Sequence, residues 1–473
     1  MMMVATFFSL SGACAPKWID ESVGEDACDR VPAPGVEIAA PADGASVEAQ
    51  GPTALGVLGS GDVALAFASS ATATPQVMTI KLAIVTDGHA QAPCNGPGQT
   101  FELDAPGAAG YREDRFASVV GPIGSDVESM IVYKREYAAV DDAAPPQPDE
   151  VRVAFASELG CPDLPTADGW SIAVSAEDVT RVVNRPVAVA LGGDTFVVFW
   201  ISQLRSSTSL PDTRLRARIV NATYPPSFQA TALGPADAPV EIPMSSSFFI
   251  GLAAERIPGR AGSPDALALI WNEVGTDMGR TRIALLDPGL AQATPPRTIA
   301  IDQDQGDALS VKTFALGYDP QSERLLATWT QDQAATGAAG SGAEAIRVMG
   351  ELLDAQAQSL SDAFTIDGSD MMGWSPTVAI PSPGQFAVAW RSGERIAFTA
   401  FDAQGNALFL NQACGKGEIL ASDLPTDSTH REPSLAVAGN GDVLINWIAG
   451  PDTMNTFSVW LRRFTQHDLF FLP

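Results

Sequence analysis

The segment QFAVAWRSGERIAFTAFDAQGNAL, residues 385–408, decides the fold. Phe386-Ala387-Val388-Ala389-Trp390 is apolar on both parities, which a strand needs only when both of its faces are covered. After a short polar break, Ile396-Ala397-Phe398-Thr399-Ala400-Phe401 alternates, which predicts a strand buried on one face, and Asp402 to Gly405 closes it with turn residues. The same apolar run ending in an aromatic recurs along the chain, with the aromatics at Phe67, Tyr133, Trp200, Trp271, Trp329, Trp390 and Trp447. They lie 66, 67, 71, 58, 61 and 57 residues apart, an internal repeat across most of the 473 residues.

Each copy brings its neighbours with it. Upstream is a short apolar strand, clearest in Pro186 to Ala190, Pro376 to Ile380 and Pro433 to Val437, joined to the apolar run by a Gly-bearing turn. Downstream is an alternating strand, as in Arg214 to Ile219, Arg282 to Leu285 and Ile346 to Met349. A weaker fourth strand follows, as in Thr298 to Ile301 or Ala407 to Leu410. Four antiparallel strands repeated seven times predict an all-β chain, a seven-bladed β-propeller of four-stranded antiparallel blades. Separate β-sandwich domains need about 100 residues each, too many for this period. Val36 to Ala40 is expected to close the ring against the last blade, whose own final strand, Leu469 to Leu472, is short.

The wording of the repeat, P-x-V-A…G-x-F-x-V-x-W…I-x-A-x-F-D-x-x-G, resembles that of secreted bacterial propeller proteins over roughly residues 50–470. The resemblance implies fold and export and no particular chemistry. The start, MMMVATFFSLSGAC, resembles a lipoprotein signal, with small residues 11–13 before Cys14. That implies a signal peptide at 1–13, lipidation at Cys14, a polar tether at 14–34, and a propeller at 35–473 on an exported or envelope-anchored protein. With Cys14 acylated, Cys28, Cys94, Cys161 and Cys414 remain as candidate disulfide cysteines. None has zinc-ligand spacing, and no metal-ligating residue is singled out.

A net charge of −28 disfavours nucleic acid and anionic lipid headgroups as partners, so a membrane is reached only through the lipid anchor. The three histidines belong to no nucleophile–base pattern, GxSxG is missing, and no catalytic residue is singled out. Arg256-Ile257-Pro258 matches a tripeptide with which sialidases place an arginine, but the S-x-D-x-G-x-T-W signature of that family is missing, so the match reads as coincidence.

Long connections between second and third strands, 134–149, 201–212 and 330–344, gather on one face with acidic blade-to-blade connections at 177–178, 302–307, 367–370 and 423–427. Carboxylates converging there would repel one another unless a cation intervened. Asp302-x-Asp304-x-Gly306 has part of a calcium loop but lacks its third acid and distant Glu, so no cofactor is expected; Ca²⁺ is the one ion these connections suit. The expectation is a monomeric, non-catalytic propeller that binds a protein or glycan through its loop-rich face. The competing readings are a secreted polysaccharide hydrolase or lyase with its site at the channel mouth, and a structural envelope component.

Overall fold

The computed structural model describes thirty-two strands between Val36 and Phe464 and most of the short turns joining them. All five cysteines, residues 1–35 and 466–473, and most of the longer connections lie outside the described residues. Every strand pairing is antiparallel, and the described residues contain no helix. The strands form seven sheets in chain order. The third sheet is typical: a first strand Arg181–Gly192, a second Thr195–Leu204, a third Thr213–Thr223, and a fourth position shared by Gln229–Leu233 and Val240–Ile242.

Four sheets have four strands; the first has six, and the second and third have five. The additional strands are halves of interrupted positions. In the first sheet Ser46–Val47 and Ala54–Val57 both pair with Val63–Ser70; in the second, Tyr111–Glu113 and Ser118–Val120 both pair with Ser129–Tyr137. The seventh sheet is completed by the N-terminal strand Val36–Ala39, which pairs with Ser458–Phe464 through Val36↔Leu461 and Glu37↔Trp460. The expected closing strand is therefore present. Residues 469–472 lie outside the described residues.

Packing joins the sheets in a closed cycle. Seven apolar clusters each span two consecutive sheets, and one of them joins the seventh to the first. The first strands also touch one another in turn, Ser428–Val437 against Ala54–Val57 completing the circuit, so they are the innermost elements. The second strands divide their two faces between neighbouring sheets, as their apolar runs demand. In Thr195–Leu204, Phe196, Val198 and Trp200 pack on the second sheet, whereas Val197, Phe199 and Ile201 pack on the fourth. All seven repeat aromatics are buried, and each faces the sheet before its own, Phe67 facing the seventh.

Two expectations need correction. Ile396 to Phe401 is buried on both faces: Ile396, Phe398 and Ala400 pack toward the seventh sheet, Ala397 and Phe401 toward the fifth. Its alternation of large and small apolar residues fits two seams and does not mark a wet side. The third sheet keeps the expected pattern, Leu215 and Ala217 being buried between the partly exposed Arg214, Arg216 and Arg218. The fourth strand of the sixth sheet is Ile419–Leu420, and Ala407 makes only an isolated bridge to Phe401. The turn from Asp402, where its carboxylate accepts from the N–H groups of Gln404 and Asn406 at 2.8 Å each, takes up residues 403–406, and residues 409–410 lie outside the described residues.

Turn chemistry holds the opposite end. Gly384 and Gly441 adopt φ of 79° and 85° in the first-to-second turns, which glycine does without a Cβ clash. Asp319 accepts from the N–H groups of Gln321 and Ser322 in its own turn and from Gly384 of the next sheet at 2.8 Å. Deleting residues 35–50 removes the closing strand and half of an inner position of the first sheet. We expect a loss of several degrees in melting temperature on a calorimetric scan, because the seventh sheet then ends in an unpaired edge.

Candidate functional site at the mouth of the inner ring

Because the first strands form the innermost circuit, any side chain they turn inward converges on one axis. Three of them carry a proline, which has no N–H for the ladder and is tolerated only where pairing lapses. Each proline sits in a bulge opposite a repeat tryptophan. Arg185 and Pro186 together oppose Trp200, Ser375 and Pro376 oppose Trp390, and Glu432 and Pro433 oppose Trp447. The residue before each proline is driven to positive φ: 51° at Arg185, 51° at Ser375 and 46° at Glu432. For residues with a Cβ that conformation costs on the order of 1–3 kcal/mol each, so the surrounding contacts must enforce it. The inner positions of the first and second sheets break at the same level, opposite Phe67 and Tyr133.

The turned-out groups connect around the ring. The Ser375 N–H donates to Thr313 Oγ1 of the fifth sheet at 3.0 Å, and Ser375 Oγ donates to Glu432 Oε2 of the seventh at 3.2 Å. Thr53 Oγ1 of the first sheet donates to the Glu432 carbonyl oxygen at 3.3 Å. Burial lowers the Arg185 guanidinium below its ordinary pKa, and the Glu432 carboxylate pulls it back up. Arg185 belongs to the third sheet and Glu432 to the seventh, which are not neighbours in the cycle. Beside Ser375 the half-buried Trp374 carries the Arg391 guanidinium 5.0 Å from its ring centre; Arg391 Nε donates to the Gly393 carbonyl oxygen at 2.7 Å, and Glu394 pairs with Arg391 at 3.4 Å. These bulges lie at the end where second strands run into third strands, which is the loop-rich face.

The acidic connection at 177–178 behaves otherwise than the sequence suggested. The buried Glu177 carboxylate accepts from Trp200 Nε1 at 3.0 Å and Ser202 Oγ at 2.8 Å, and it pairs with Arg181 and Arg216 at 3.8 and 3.5 Å. Its charge is met by two guanidinium groups, with no cation needed. Asp178 caps its own turn through the Thr180 N–H at 2.8 Å, and its pKa is lowered chiefly by the Thr180 side-chain and backbone hydrogen bonds. The same device recurs at Trp271, whose indole N–H donates to Glu273, and at Trp329, which donates to Gln331. An acid or amide two residues after the tryptophan was the signal available in the sequence.

Asp302 ends the outer strand Arg297–Asp302, and the rest of the partial calcium loop lies outside the described residues, as do 368–370 and 423–427. Among the described residues no group of three or more His, Cys, Asp or Glu side chains is placed to hold a metal. Arg256 is taken by Asp265 of its own hairpin at 2.7 Å and lies over Gly192, at the end opposite the mouth. Its tripeptide is thus a local brace. The repeat aromatics are structural, buried in the seams, and Cys14, Cys28, Cys94, Cys161 and Cys414 lie outside the described residues.

Neither a family model nor a curated protein matches this sequence. Solved structures similar to the chain include an α-L-arabinanase of Penicillium chrysogenum complexed with arabinobiose, at 10% identity, 91% of this chain and 98% of that one, and a TM-score of 0.47. A leech intramolecular trans-sialidase aligns at 11% identity over 93% and 71% of the two chains, with a TM-score of 0.43. The Dos1 propeller aligns at 9% identity over 89% and 86%, with a TM-score of 0.40.

Away from the mouth, one inner-strand carboxyl stands out. Ala253 and Ile257 pack into the seam with the fifth sheet, which sets Glu255, on the same parity, against that seam. Burial pushes its pKa up to about 7, against a hydrogen bond donated by the Arg256 N–H at 3.1 Å that lowers it. The folded state therefore holds this proton more tightly than the unfolded chain, and the resulting stabilisation, full below the unfolded value near 4.5, is lost as pH rises through about 7. Glu255→Gln is expected to leave the melting temperature unchanged at pH 4 and to raise it by a few degrees at pH 8, read by differential scanning calorimetry at both pH values.

Proposed function

We propose that residues 35–473 form a seven-bladed β-propeller that binds its ligand, without chemistry, at the mouth of the inner ring on the loop-rich face. The observation carrying this reading is the convergence of Arg185, Ser375 and Glu432, each held at positive φ in an equivalent bulge. Three strained backbones on three sheets, all at one level, point to groups kept in place for a purpose other than packing. The seven sheets, the closed cycle of seams and the N-terminal closing strand support the blade count. At this level the inner strands carry Glu432, engaged by Ser375, and Glu113, which flanks the break opposite Tyr133. Glycoside hydrolysis by a carboxylate pair, the competing reading, needs a second carboxylate about 5–10 Å away.

The same reading carries export behind residues 1–13, a lipid anchor at Cys14 and a polar tether to residue 34, with the monomeric propeller presenting the mouth outward. Mass spectrometry of the native N-terminus tests the anchor. To test the site, the folded wild type, Arg185→Met and Glu432→Gln would be screened against the same glycan and peptide arrays. The expected result is a ligand class whose capture falls about tenfold or more in both variants. Ligands retained equally by all three proteins would overturn the mouth as the binding site.

A further inference from the structure

Resting on that reading of the mouth, we propose that its ligand is a neutral saccharide, stacked on Trp374 and hydrogen-bonded by Ser375, Arg185 and Glu432. Three features of this place select that chemistry. Trp374 is the aromatic beside the strained Ser375, only partly covered by its own sheet, and Arg391 over its ring holds it in one orientation. With one ring face taken by Arg391, the partly exposed indole has its other face for a ligand surface made of C–H groups. Within the same ring, Arg185 offers donors only, Glu432 offers acceptors only, and Ser375 offers both. A sugar hydroxyl is donor and acceptor at once and satisfies either partner. The ring also carries both signs of charge in equivalent bulges, Arg185 and Glu432. An anionic ligand meets the Glu432 carboxylate and a cationic one meets the Arg185 guanidinium, each paying desolvation against one like charge. A neutral polyhydroxylated ligand pays neither.

The arrangement is less suited to a peptide. Peptides dock by adding a strand to an open sheet edge or by filling an apolar groove, whereas the inner strands here are bulged at this level and the groups they present are polar.

The test titrates the full chain, followed by tryptophan fluorescence and calorimetry, with three sets of probes: unsubstituted hexose and pentose oligosaccharides, sialylated or uronate-bearing oligosaccharides, and mixed-sequence peptides. Saturable binding of a neutral oligosaccharide is expected, weakened about tenfold or more by Trp374→Ala and largely restored in Trp374→Phe, with melting temperatures checked for each variant. Should the alanine variant fold poorly, the phenylalanine variant and loss of the ligand-dependent fluorescence change still report on stacking. Binding of acidic sugars or peptides alone, lost in Arg185→Met, would overturn the neutral-saccharide assignment while leaving the mouth as the site. Neutral-sugar binding that survives both Trp374→Ala and Glu432→Gln would overturn this assignment and the mouth together. Failure of every neutral oligosaccharide to bind would overturn the assignment as well.

Discussion

The fold depends on burying the second strand of every sheet from both sides. A strand covered on one face tolerates polar residues at alternate positions; one covered on both tolerates almost none. Val63 to Phe67, Phe196 to Trp200, Leu267 to Trp271 and Phe386 to Trp390 are each buried throughout, and each supplies atoms to two seams. Direction matters as much as burial. The aromatic always fills the seam with the preceding sheet, while smaller residues such as Ala64, Ala66 and Ala68, or Ala387 and Ala389, meet the following one. At these two seams a large side chain meets a small face, whereas Trp271 meets Val197, Phe199 and Ile201; slipping a strand by one residue would move its whole set to the other seam. Gly317 shows how close the fit is: a Cβ there would come within 2.5 Å of Val378 in the next sheet.

That packing has a consequence on the inner strands. The aromatic stands near the loop-bearing end of the second strand, and it is opposite this residue that the first strand bulges or breaks in the first, second, third, sixth and seventh sheets. Prolines occupy three of those lapses because their lack of an N–H costs nothing where the ladder asks for no donor. The lapse also frees the residue before the proline to turn toward the next sheet, as Ser375 does toward Thr313 and Glu432. Seam packing and mouth chemistry are therefore linked. The same aromatic that locks two sheets together marks where the innermost strand presents polar groups to the axis.

Much of the framework was legible because it is written in residue types that have few other uses. A run such as Phe386 to Trp390 has no half-buried interpretation, and its recurrence gave the number and order of the sheets. Ile396 to Phe401 misled because alternating large and small apolar residues look the same as alternating buried and exposed ones until both neighbours are known. The mouth was harder to see. Pro186, Pro376 and Pro433 were visible as the clearest first strands, but nothing local in Arg185, Ser375 or Glu432 announces positive φ, which is imposed by the bulge and by contacts more than fifty residues away in sequence, such as Ser375 with Glu432 and with Thr313. Glu177 was misread for a related reason: sequence shows a carboxylate in an acidic connection, while the fold surrounds it with Arg181 and Arg216.

The distribution of arginine shapes the field of a chain of net charge −28. Several arginines are spent inside the architecture. Arg297 pairs with Glu351 across the fourth and fifth sheets at 3.1 Å, Arg205 reaches Asp149 across the second and third, Arg324 reaches the Ala403 carbonyl oxygen across the fifth and sixth, and Arg282 meets Glu273 under Trp271 at 3.1 Å. Guanidinium groups suit such seams, since their planar forks satisfy several acceptors at once and remain charged when partly desolvated. Cations committed to seams are withdrawn from the surface, where uncompensated carboxylates then dominate the field. Such a field opposes an anionic polymer only within about a Debye length, ~8 Å at physiological salt, and attracts a cationic one without selecting the mouth. In the proposed binding role, selectivity at the mouth comes from short-range geometry, from Trp374 and from the donors and acceptors of Arg185, Ser375 and Glu432.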